Sequence, residues 1–181
     1  MKVISGLYKG RTIEGHNIDG TRPTMERVKE SLFAIIQEKT KESIILDLFS
    51  GSGNLAIEAL SQGAKYAYFV DKNKKATNYI KINISKIGIN QNQVEIMNLD
   101  YKKALQKLAE KKAKLDLIFL DPPYDTNYIE ESIKLIEKYQ LLNENGLIIC
   151  ESNSLERIIY SNTYTSVKEK KYGDKWVVIL K

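Results

Sequence analysis

The 181-residue chain is predicted to have an α/β fold, with a mostly parallel seven-stranded sheet, an antiparallel C-terminal hairpin and a small N-terminal extension. Two observations predict it. Short apolar runs alternate with helical patterns of about 10–15 residues, which is typical of a parallel sheet covered on both faces. Near the end of the chain, two β-type runs are separated only by Gly173 and Asp174, as in a tight hairpin.

Residues 1–40 are predicted to form the N-terminal extension. Two short strands are expected at residues 2–5 and 11–14, which together form a small hairpin. After a polar loop, Thr24 is predicted to be the N-cap of a helix, and Pro23 keeps the approach to it extended. The apolar face of this helix is expected to consist of Met25, Val28, Leu32, Ile35 and Ile36.

Residues 41–181 are predicted to form the main domain. Parallel strands are expected at residues 44–48, 66–70, 94–97, 115–120 and 146–151. Helices are expected at residues 54–62, 73–87 and 101–112, and a fourth helix carries Ile129, Ile133 and Ile136. The runs 163–172 and 175–180 then form the hairpin, whose last strand is antiparallel to the others. Such a sheet is typical of Rossmann-like class I S-adenosylmethionine-dependent methyltransferases, whereas a dinucleotide-binding dehydrogenase domain would normally continue with parallel strands.

The composition excludes several functional classes. Cys150 and His16 are the single cysteine and the single histidine, so an intrachain disulfide and a Cys/His zinc site are excluded and no metal is predicted. His16 lies in a polar loop, where a solvated histidine is expected rather than a catalytic base. No apolar stretch reaches the roughly 18 residues of a membrane span, and no signal peptide is recognisable. A cytoplasmic protein is therefore expected.

The net charge of +5 at pH 7 favours an anionic partner. Lys9 and Arg11 lie in an N-terminal stretch, residues 1–13, that contains no acid. Arg22 and Arg27 flank the predicted helix start, and a helix N-terminus itself favours anions. We expect these four cations to contact phosphate or carboxylate groups; simple exposure to solvent is the alternative.

A glycine-rich turn follows the first parallel strand of the main domain. The apolar run that contains Asp47 and Phe49 leads through Gly51 and Gly53 into a helical pattern. Glycines at such a strand-to-helix turn leave backbone N–H groups uncovered, which makes a cradle for a nucleotide-like ligand. The turn alone is a weak signal, because it also satisfies the dinucleotide-binding pattern.

Acidic residues follow four consecutive strands of the predicted sheet. They are Asp47, Asp71, Asp100 and Asp121, and the carboxyl ends of parallel strands meet at the edge where ligands bind. Asp71 lies at the spacing of a carboxylate that accepts hydrogen bonds from ribose hydroxyls, which fits NAD equally well. Asp47 is expected to orient the turn or a methionyl ammonium. Asp100 is placed to accept from an adenine amine, with a plain helix N-cap as the equal alternative.

The most specific motif is Asp121-Pro122-Pro123-Tyr124. The two prolines stiffen the backbone, so the Asp121 carboxylate and the Pro122 carbonyl can both accept hydrogen bonds from one exocyclic amine. This grip favours the pyramidal geometry that a conjugated ring amine needs to attack a methyl group on a sulfonium, a form of electrostatic preorganisation. Tyr124 offers a face on which the base can stack. The motif therefore predicts an amino-group methyltransferase that acts on a base.

Together these segments resemble the RsmD-type 16S ribosomal RNA guanine-N2 methyltransferases of bacteria. The resemblance is carried by residues 4–11, 21–33, 46–60 and 121–124 and spans nearly the whole chain. It implies methylation of N2 of guanine 966 in 16S rRNA within a partly assembled small subunit, with S-adenosylmethionine as the cofactor. Family members often carry Ala at position 50 and Gly at position 56, and some carry Glu at position 71, where this chain has Ser, Ala and Asp.

The resemblance completes the set of candidate site residues. The cofactor-binding candidates are Asp47, Phe49, Gly51, Gly53, Asp71, Asp100 and Thr24, the catalytic candidates are Asp121, Pro122 and Tyr124, and the RNA-binding candidates are Lys9, Arg11, Arg22 and Arg27. The residues alone do not distinguish guanine from adenine or RNA from DNA. An N6-adenine or N4-cytosine methyltransferase and a non-catalytic RNA-binding assembly factor therefore stay open as alternatives, and an NAD-binding enzyme is the weakest.

Overall fold

The computed structural model describes residues 1–15, 22–124 and 126–181, without the side chains of residues 22–25. The helices are α1 (Arg22–Thr40), α2 (Asn54–Ser61), α3 (Lys74–Ile87), α4 (Tyr101–Glu110) and α5 (Tyr128–Lys138). The strands are β1 (Ile44–Asp47), β2 (Tyr66–Val70), β3 (Val94–Met97), β4 (Leu115–Leu120), β5 (Leu142–Ser152), β6 (Ser166–Tyr172) and β7 (Lys175–Leu180).

The strands form one seven-stranded sheet in the order β3-β2-β1-β4-β5-β7-β6. The first five strands run parallel, and β7 is antiparallel to both β5 and β6. The chain moves outward from β1 to β3 and then returns to the other side of β1 with β4. The order therefore reverses between β1 and β4, and this is the point where an open α/β sheet binds its ligand.

Each face of the sheet is covered by its own hydrophobic core. Phe33, Ile57 and Ile80, from α1, α2 and α3, pack on the first face together with Val3 and Ile13 of the N-terminal segment. On the second face, α4 and α5 pack against alternate strand residues. Side chains of a strand alternate between the two faces of the sheet. Because both faces are covered, the central strands are apolar at nearly every position.

The predicted elements are confirmed with several local corrections. The N-terminal hairpin reduces to one antiparallel bridge, Lys2 with Thr12. Helix α1 begins at Arg22, so the prediction of Thr24 as its N-cap is wrong; Pro23 is tolerated in a first helical turn, where its missing N–H costs nothing. On α1, Phe33 faces the core and Ile35 is 43% exposed, the reverse of the predicted face for Ile35.

The polar loop predicted at residues 16–20, with His16, lies outside the described residues, as does the side chain of Met25. Strand β5 begins at Leu142, four residues earlier than predicted. Asn143 extends it by donating to the Asp116 carboxylate at 2.6 Å. A sequence that resembles a turn therefore continues the strand.

A buried ion pair ties the N-terminal segment to α1 and α2. Lys29 Nζ lies 2.8 Å from Glu58 Oε2, and both side chains are at most 1% exposed. Glu58 also accepts from the backbone N–H groups of Ile4 and Ser5, each at 2.9 Å, while Lys29 donates to the Asn54 side chain at 2.8 Å. Burial lowers the pKa of Lys29, although Glu58 favours its charged form. The pair therefore fixes the N-terminal segment next to the glycine turn.

Two further features concern the single cysteine and the helices. Cys150 lies on β5 and is completely buried. Among the residues that the structure describes, no helix combines the length and the apolar character needed to cross a bilayer.

Candidate active site

The site lies where the strand order reverses, between the ends of β1 and β4. A cleft of about 340 Å³ is lined there by residues from the four connections that follow β1 to β4 and by the first residues of α4, α5 and β7: Leu48, Phe49, Gly51, Asp71, Lys72, Leu99, Asp100, Tyr101, the run 121–124, Tyr128 and Lys175. A smaller cavity of about 90 Å³ continues it beneath α1 and shares Phe49, Gly51, Asp121 and Lys175. The predicted glycine turn and the Asp121–Tyr124 motif therefore face the same space.

The glycine turn is held by its serine and its two glycines. The Ser50 hydroxyl donates to the Asp47 carbonyl at 2.7 Å and accepts from Val70 N at 2.9 Å, which ties the turn to the end of β2. Gly51 has φ +53°, and a Cβ there would meet no atom within 4 Å, so the cleft is open above it. Gly53 has φ +82°, and a Cβ there would approach Phe69 to 3.0 Å.

Gly53 thus packs behind the turn. It is not among the described residues that line the cleft. It begins α2 at the N-cap position, where its left-handed φ is favourable only for glycine. Its place in the cofactor site is that of a spacer, while Gly51 forms the surface.

Asp71 and Asp100 lie on the rim of the cleft, as predicted. Asp71 accepts from Gly51 N at 2.9 Å and from Asn73 N at 2.8 Å, so its carboxylate fixes the turn as well as facing the cleft. Asp100 is the N-cap of α4 and accepts from Lys102 N at 2.9 Å. The predicted N-cap role of Asp100 is therefore confirmed, while its contact with an adenine amine stays a prediction. Each carboxylate has further lone pairs for a ligand.

Three aromatic rings form one wall of the cleft. Phe49 stacks on Tyr128 at a centroid distance of 6.1 Å with an angle of 6° between the planes, and Tyr101 lies 5.6 Å from Phe49 and 4.9 Å from Tyr128. Phe49 is a candidate from the sequence. Tyr128 is not, because Tyr128 lies in the helix beyond the Asp121–Tyr124 motif. Flat apolar walls with acidic acceptors at the rim suit an adenosine group. The cleft therefore fits the predicted cofactor.

Asp47 is deeply buried at the base of the turn. Burial raises its pKa to about 7, with a further contribution from the charge of Asp71, and the backbone N–H groups of Ala56 and Phe49 oppose the rise. The carboxyl thus orients the turn, as predicted, and its charge is poorly compensated within the protein.

Asp121 and Pro122 lie beside Asp47 across the β1–β4 junction. Pro122 is buried, while Tyr124 is 41% exposed, so the motif presents its ring outward above a fixed backbone. Burial raises the pKa of Asp121 well above its usual range; the Glu151 carboxylate adds to the rise, and Lys175 opposes it. A carboxylate with a raised pKa is a better proton acceptor than an ordinary one.

Glu151 and Lys175 belong to the site and were missed by sequence reasoning. Lys175 Nζ bonds with Glu151 Oε1, and the two side chains are 19% and 15% exposed. Burial lowers the pKa of Lys175, but the charge of Glu151 and the hydrogen bonds to Glu151 and Tyr124 together outweigh this effect and raise it overall. Glu151 lies one residue before the end of β5, close to the edge where the four predicted acids lie, so a signal was present. Lys175 reaches this edge only because β7 is antiparallel.

The predicted RNA-binding residues lie in and next to the N-terminal segment. Lys9, Arg11 and Arg27 are exposed, and their role stays a prediction. The side chains of Arg22 and Thr24 lie outside the described residues, so their predicted contacts with RNA and with cofactor also stay predictions. Within the described residues, no cluster of His, Cys, Asp and Glu could hold a metal ion.

Comparisons with known proteins agree with this architecture. The model of the family described as conserved hypothetical protein 95 matches residues 1–181. Ribosomal RNA small subunit methyltransferase D of Haemophilus influenzae is 36% identical over 176 residues, which are 96% of this chain and 89% of that protein. The yhhF structure from Escherichia coli has a TM-score of 0.86 and 28% identity, and the match covers 99% of this chain and 96% of that one.

A more distant structure, SMU.776 complexed with SAH, has a TM-score of 0.70 and 19% identity and is covered to 49% by a match to 87% of this chain. Identity at that level shows the fold alone. The predicted fold class is confirmed: a mostly parallel seven-stranded sheet, with an antiparallel C-terminal pair, of the kind found in S-adenosylmethionine-dependent methyltransferases.

Proposed function

The chain belongs to the family described as conserved hypothetical protein 95, the RsmD family that its motifs predicted, and on that premise we propose that it methylates N2 of a guanine in 16S rRNA. S-adenosylmethionine is the cofactor, as predicted. The relatives named as small-subunit rRNA methyltransferases support an rRNA substrate. The resemblance favours guanine 966 on a partly assembled particle.

The observation that carries the proposal is the position of Asp121 and Pro122 beside the glycine turn. Both line a cleft whose opposite rim holds Asp71 and Asp100. When bound, S-adenosylmethionine supplies a methyl group on a positively charged sulfur. The Asp121 carboxylate and the Pro122 carbonyl accept the two hydrogens of the target amine, and Tyr124 offers a ring for the base.

This grip prepares the amine to react. With both hydrogens held out of the ring plane, the nitrogen lone pair is released from conjugation and can act as the nucleophile. The nitrogen would take the methyl group that bound S-adenosylmethionine supplies, the C–S electron pair would stay on the cofactor's sulfur, and the displaced proton would pass to Asp121. The raised pKa of Asp121 makes it a suitable proton acceptor.

Nucleoside mass spectrometry tests this proposal. We expect 16S rRNA from a strain that lacks this gene to lack one N2-methylguanosine, which the wild-type gene restores. Asp121→Ala should lower the single-turnover rate by about 10²–10³ because an acceptor of the transition state is removed. Its affinity for S-adenosylhomocysteine, measured by calorimetry, should stay near that of the wild type.

Other outcomes would assign a different function. A missing N6-methyladenosine or N4-methylcytosine would favour the alternative methyltransferases. Tight binding of S-adenosylhomocysteine without turnover on small-subunit particles would favour a non-catalytic assembly factor. If Asp121→Ala loses cofactor affinity and retains its chemical rate, the assigned role of Asp121 is wrong.

A further inference from the structure

Glu151 and Lys175 form a charged pair in the smaller cavity that adjoins the cleft, and the methyl-transfer step does not use it. Other ion pairs lie on helix surfaces; in the pair of Lys134 with Glu130, for example, the lysine side chain is 68% exposed. In contrast, Lys175 and Glu151 are 19% and 15% exposed. Withdrawing a surface pair from water offers little stability, which points to a role in binding.

The strand register places the pair next to Asp121. Leu120 of β4 is opposite Cys150 of β5, so the residues that follow them, Asp121 and Glu151, are neighbours on adjacent strand ends. Glu151 is in turn opposite Val177 of β7, two residues from Lys175. Residues two apart on a strand share a face, so Asp121, Glu151 and Lys175 project on the same side.

The packing confirms which side this is. Phe119, Ile149 and Val177, each two residues from one member of the trio, all belong to the core under α1. The trio therefore emerges toward α1, where Asp121, Glu151 and Lys175 together line the smaller cavity. Lys175 Nζ also lies 5.6 Å from the centre of the Tyr124 ring, the ring offered to the base.

We propose that Glu151 and Lys175 recognise the Watson–Crick edge of the target guanine, with Glu151 accepting its N1–H and Lys175 donating to its O6. This inference rests on the proposed function, because Asp121 holds the neighbouring N2 amine. The sheet order β4-β5-β7 sets the order acceptor, acceptor, donor. Guanine presents donor, donor, acceptor along the same edge, so the two orders are complementary.

The same arrangement disfavours the other amino bases. Adenine and cytosine carry a ring-nitrogen lone pair next to the exocyclic amine, where guanine carries N1–H. The Glu151 carboxylate, the group nearest to Asp121 in the sheet, would face that lone pair. A buried acceptor left without its donor costs enough binding energy to reject such analogues strongly.

The pair can contact the base without breaking its own bond. An ammonium group has three donors, and a carboxylate has about four acceptor positions on two oxygens. Lys175 uses one donor on Glu151 Oε1 and another on Tyr124, which leaves its third donor for O6 and Glu151 Oε2 for the N1–H. The ion pair therefore orients both groups before the base arrives.

The test uses small-subunit particles reconstituted with 16S rRNA that carries either guanine or 2-aminopurine at the methylated position. 2-Aminopurine retains the exocyclic amine but lacks both N1–H and O6. We expect the wild type to methylate guanine about 10³-fold faster in single-turnover reactions, as expected for a site built around hydrogen bonds. Glu151→Gln should reduce this preference at least tenfold, since its amide can donate to N1 of the analogue.

Lys175→Met should slow methylation of guanine at least tenfold and change the rate on 2-aminopurine less than twofold. Lys171→Met and Glu169→Gln on exposed β6 are the matched controls and should leave both rates unchanged. The charge-matched double variant, Glu151→Gln with Lys175→Met, should also lose the preference, which keeps the test valid if one single variant folds poorly.

The inference is overturned if both variants keep the wild-type preference, or if their only defect is weaker binding of S-adenosylhomocysteine. Failure of the proposed function is seen separately in the wild type, which would then leave guanine in the particles unmethylated. That result would overturn this inference as well, before any variant is compared.

Discussion

Asp47 combines burial at the turn with a carboxyl pKa of about 7, and this has a consequence for stability. In the unfolded chain the same carboxyl has a pKa of about 3.9. Between these two values the folded state binds more protons than the unfolded state, so the free energy of unfolding falls as pH rises. The contribution is complete below the unfolded pKa and is lost through pH 7, by roughly 4 kcal/mol in total.

We therefore expect Asp47→Asn to match the wild type at pH 4 and to be more stable by up to about 4 kcal/mol above pH 7. The asparagine oxygen can still accept from the backbone N–H groups of Ala56 and Phe49. Urea denaturation of the cofactor-free proteins across this range measures the difference. A stability difference that does not change with pH would contradict the assignment.

At the scale of single residues, the sequence predicted the acids of the site but not the hydrogen bonds and contacts that they make. Asp71 was expected to bind ribose, and it also fixes Gly51 N, a contact between residues twenty positions apart that no local pattern encodes. Ser50 departs from the alanine common in the family, and its hydroxyl joins β1 to β2. Lys175 was invisible because its side chain joins the site through strand direction rather than through spacing.

The element-scale feature with the largest energetic consequence is the buried pair of Lys29 on α1 and Glu58 on α2. Lys29→Met would leave Glu58 charged and unpaired while it still holds the Ile4 and Ser5 N–H groups. We expect a decrease of about 3–5 kcal/mol in the free energy of unfolding, measured by urea denaturation.

Two comparisons sharpen this expectation. Adding Glu58→Gln to Lys29→Met should restore part of the stability, because the remaining buried group is then neutral. Lys134→Met, which breaks the exposed pair with Glu130, should cost less than about 1 kcal/mol. Equal decreases in Lys29→Met and Lys134→Met would mean that the buried pair has no special weight.

The sequence predicted the helices and strands well where the hydrophobic period was strong. The differences lie at boundaries: the sequence predicts Thr24 as a cap although α1 begins at Arg22, and it predicts no strand at the polar run Asn143–Asn145, which belongs to β5. Strand β5 continues there through its pairing with β4 and the Asn143–Asp116 bond, which are tertiary contacts. Ile35 was assigned to the core by helical spacing, whereas Phe33 occupies that face.

At the scale of the whole molecule, the chain is predicted to divide into an RNA-contacting extension, residues 1–40, and a methyltransferase domain, residues 41–181. Val3, Ile13 and Phe33 share one core with the sheet, so the extension is anchored to the catalytic part. Asn83 of α3 strengthens this link by donating to the carbonyls of Ser52 and Glu14 at 2.9 and 3.0 Å. The division of function between the two parts stays a proposal.

The extension is expected to bind RNA through its cations, which pair with phosphate groups. Changing Lys9, Arg11 and Arg22 together to Ala should flatten the log–log dependence of particle affinity on salt by roughly 0.7–0.9 for each phosphate that is no longer neutralised. A matched triple change of Lys103, Lys107 and Lys138, on the helices that cover the opposite face, should leave the slope unchanged. An unchanged slope in the first variant would show that another surface contacts the RNA.

The alkylation rate of Cys150 can report how often the sheet opens. This residue lies on β5 directly before Glu151, and burial raises the pKa of its thiol, so an alkylating reagent reacts with it only during excursions that separate β5 from its neighbours. Cys150 is the single cysteine of the chain. The rate of labelling therefore measures how often the sheet opens at this position, next to the groups that we assign to the base. A bound nucleotide that slows the labelling would reveal how firmly it closes the middle of the sheet.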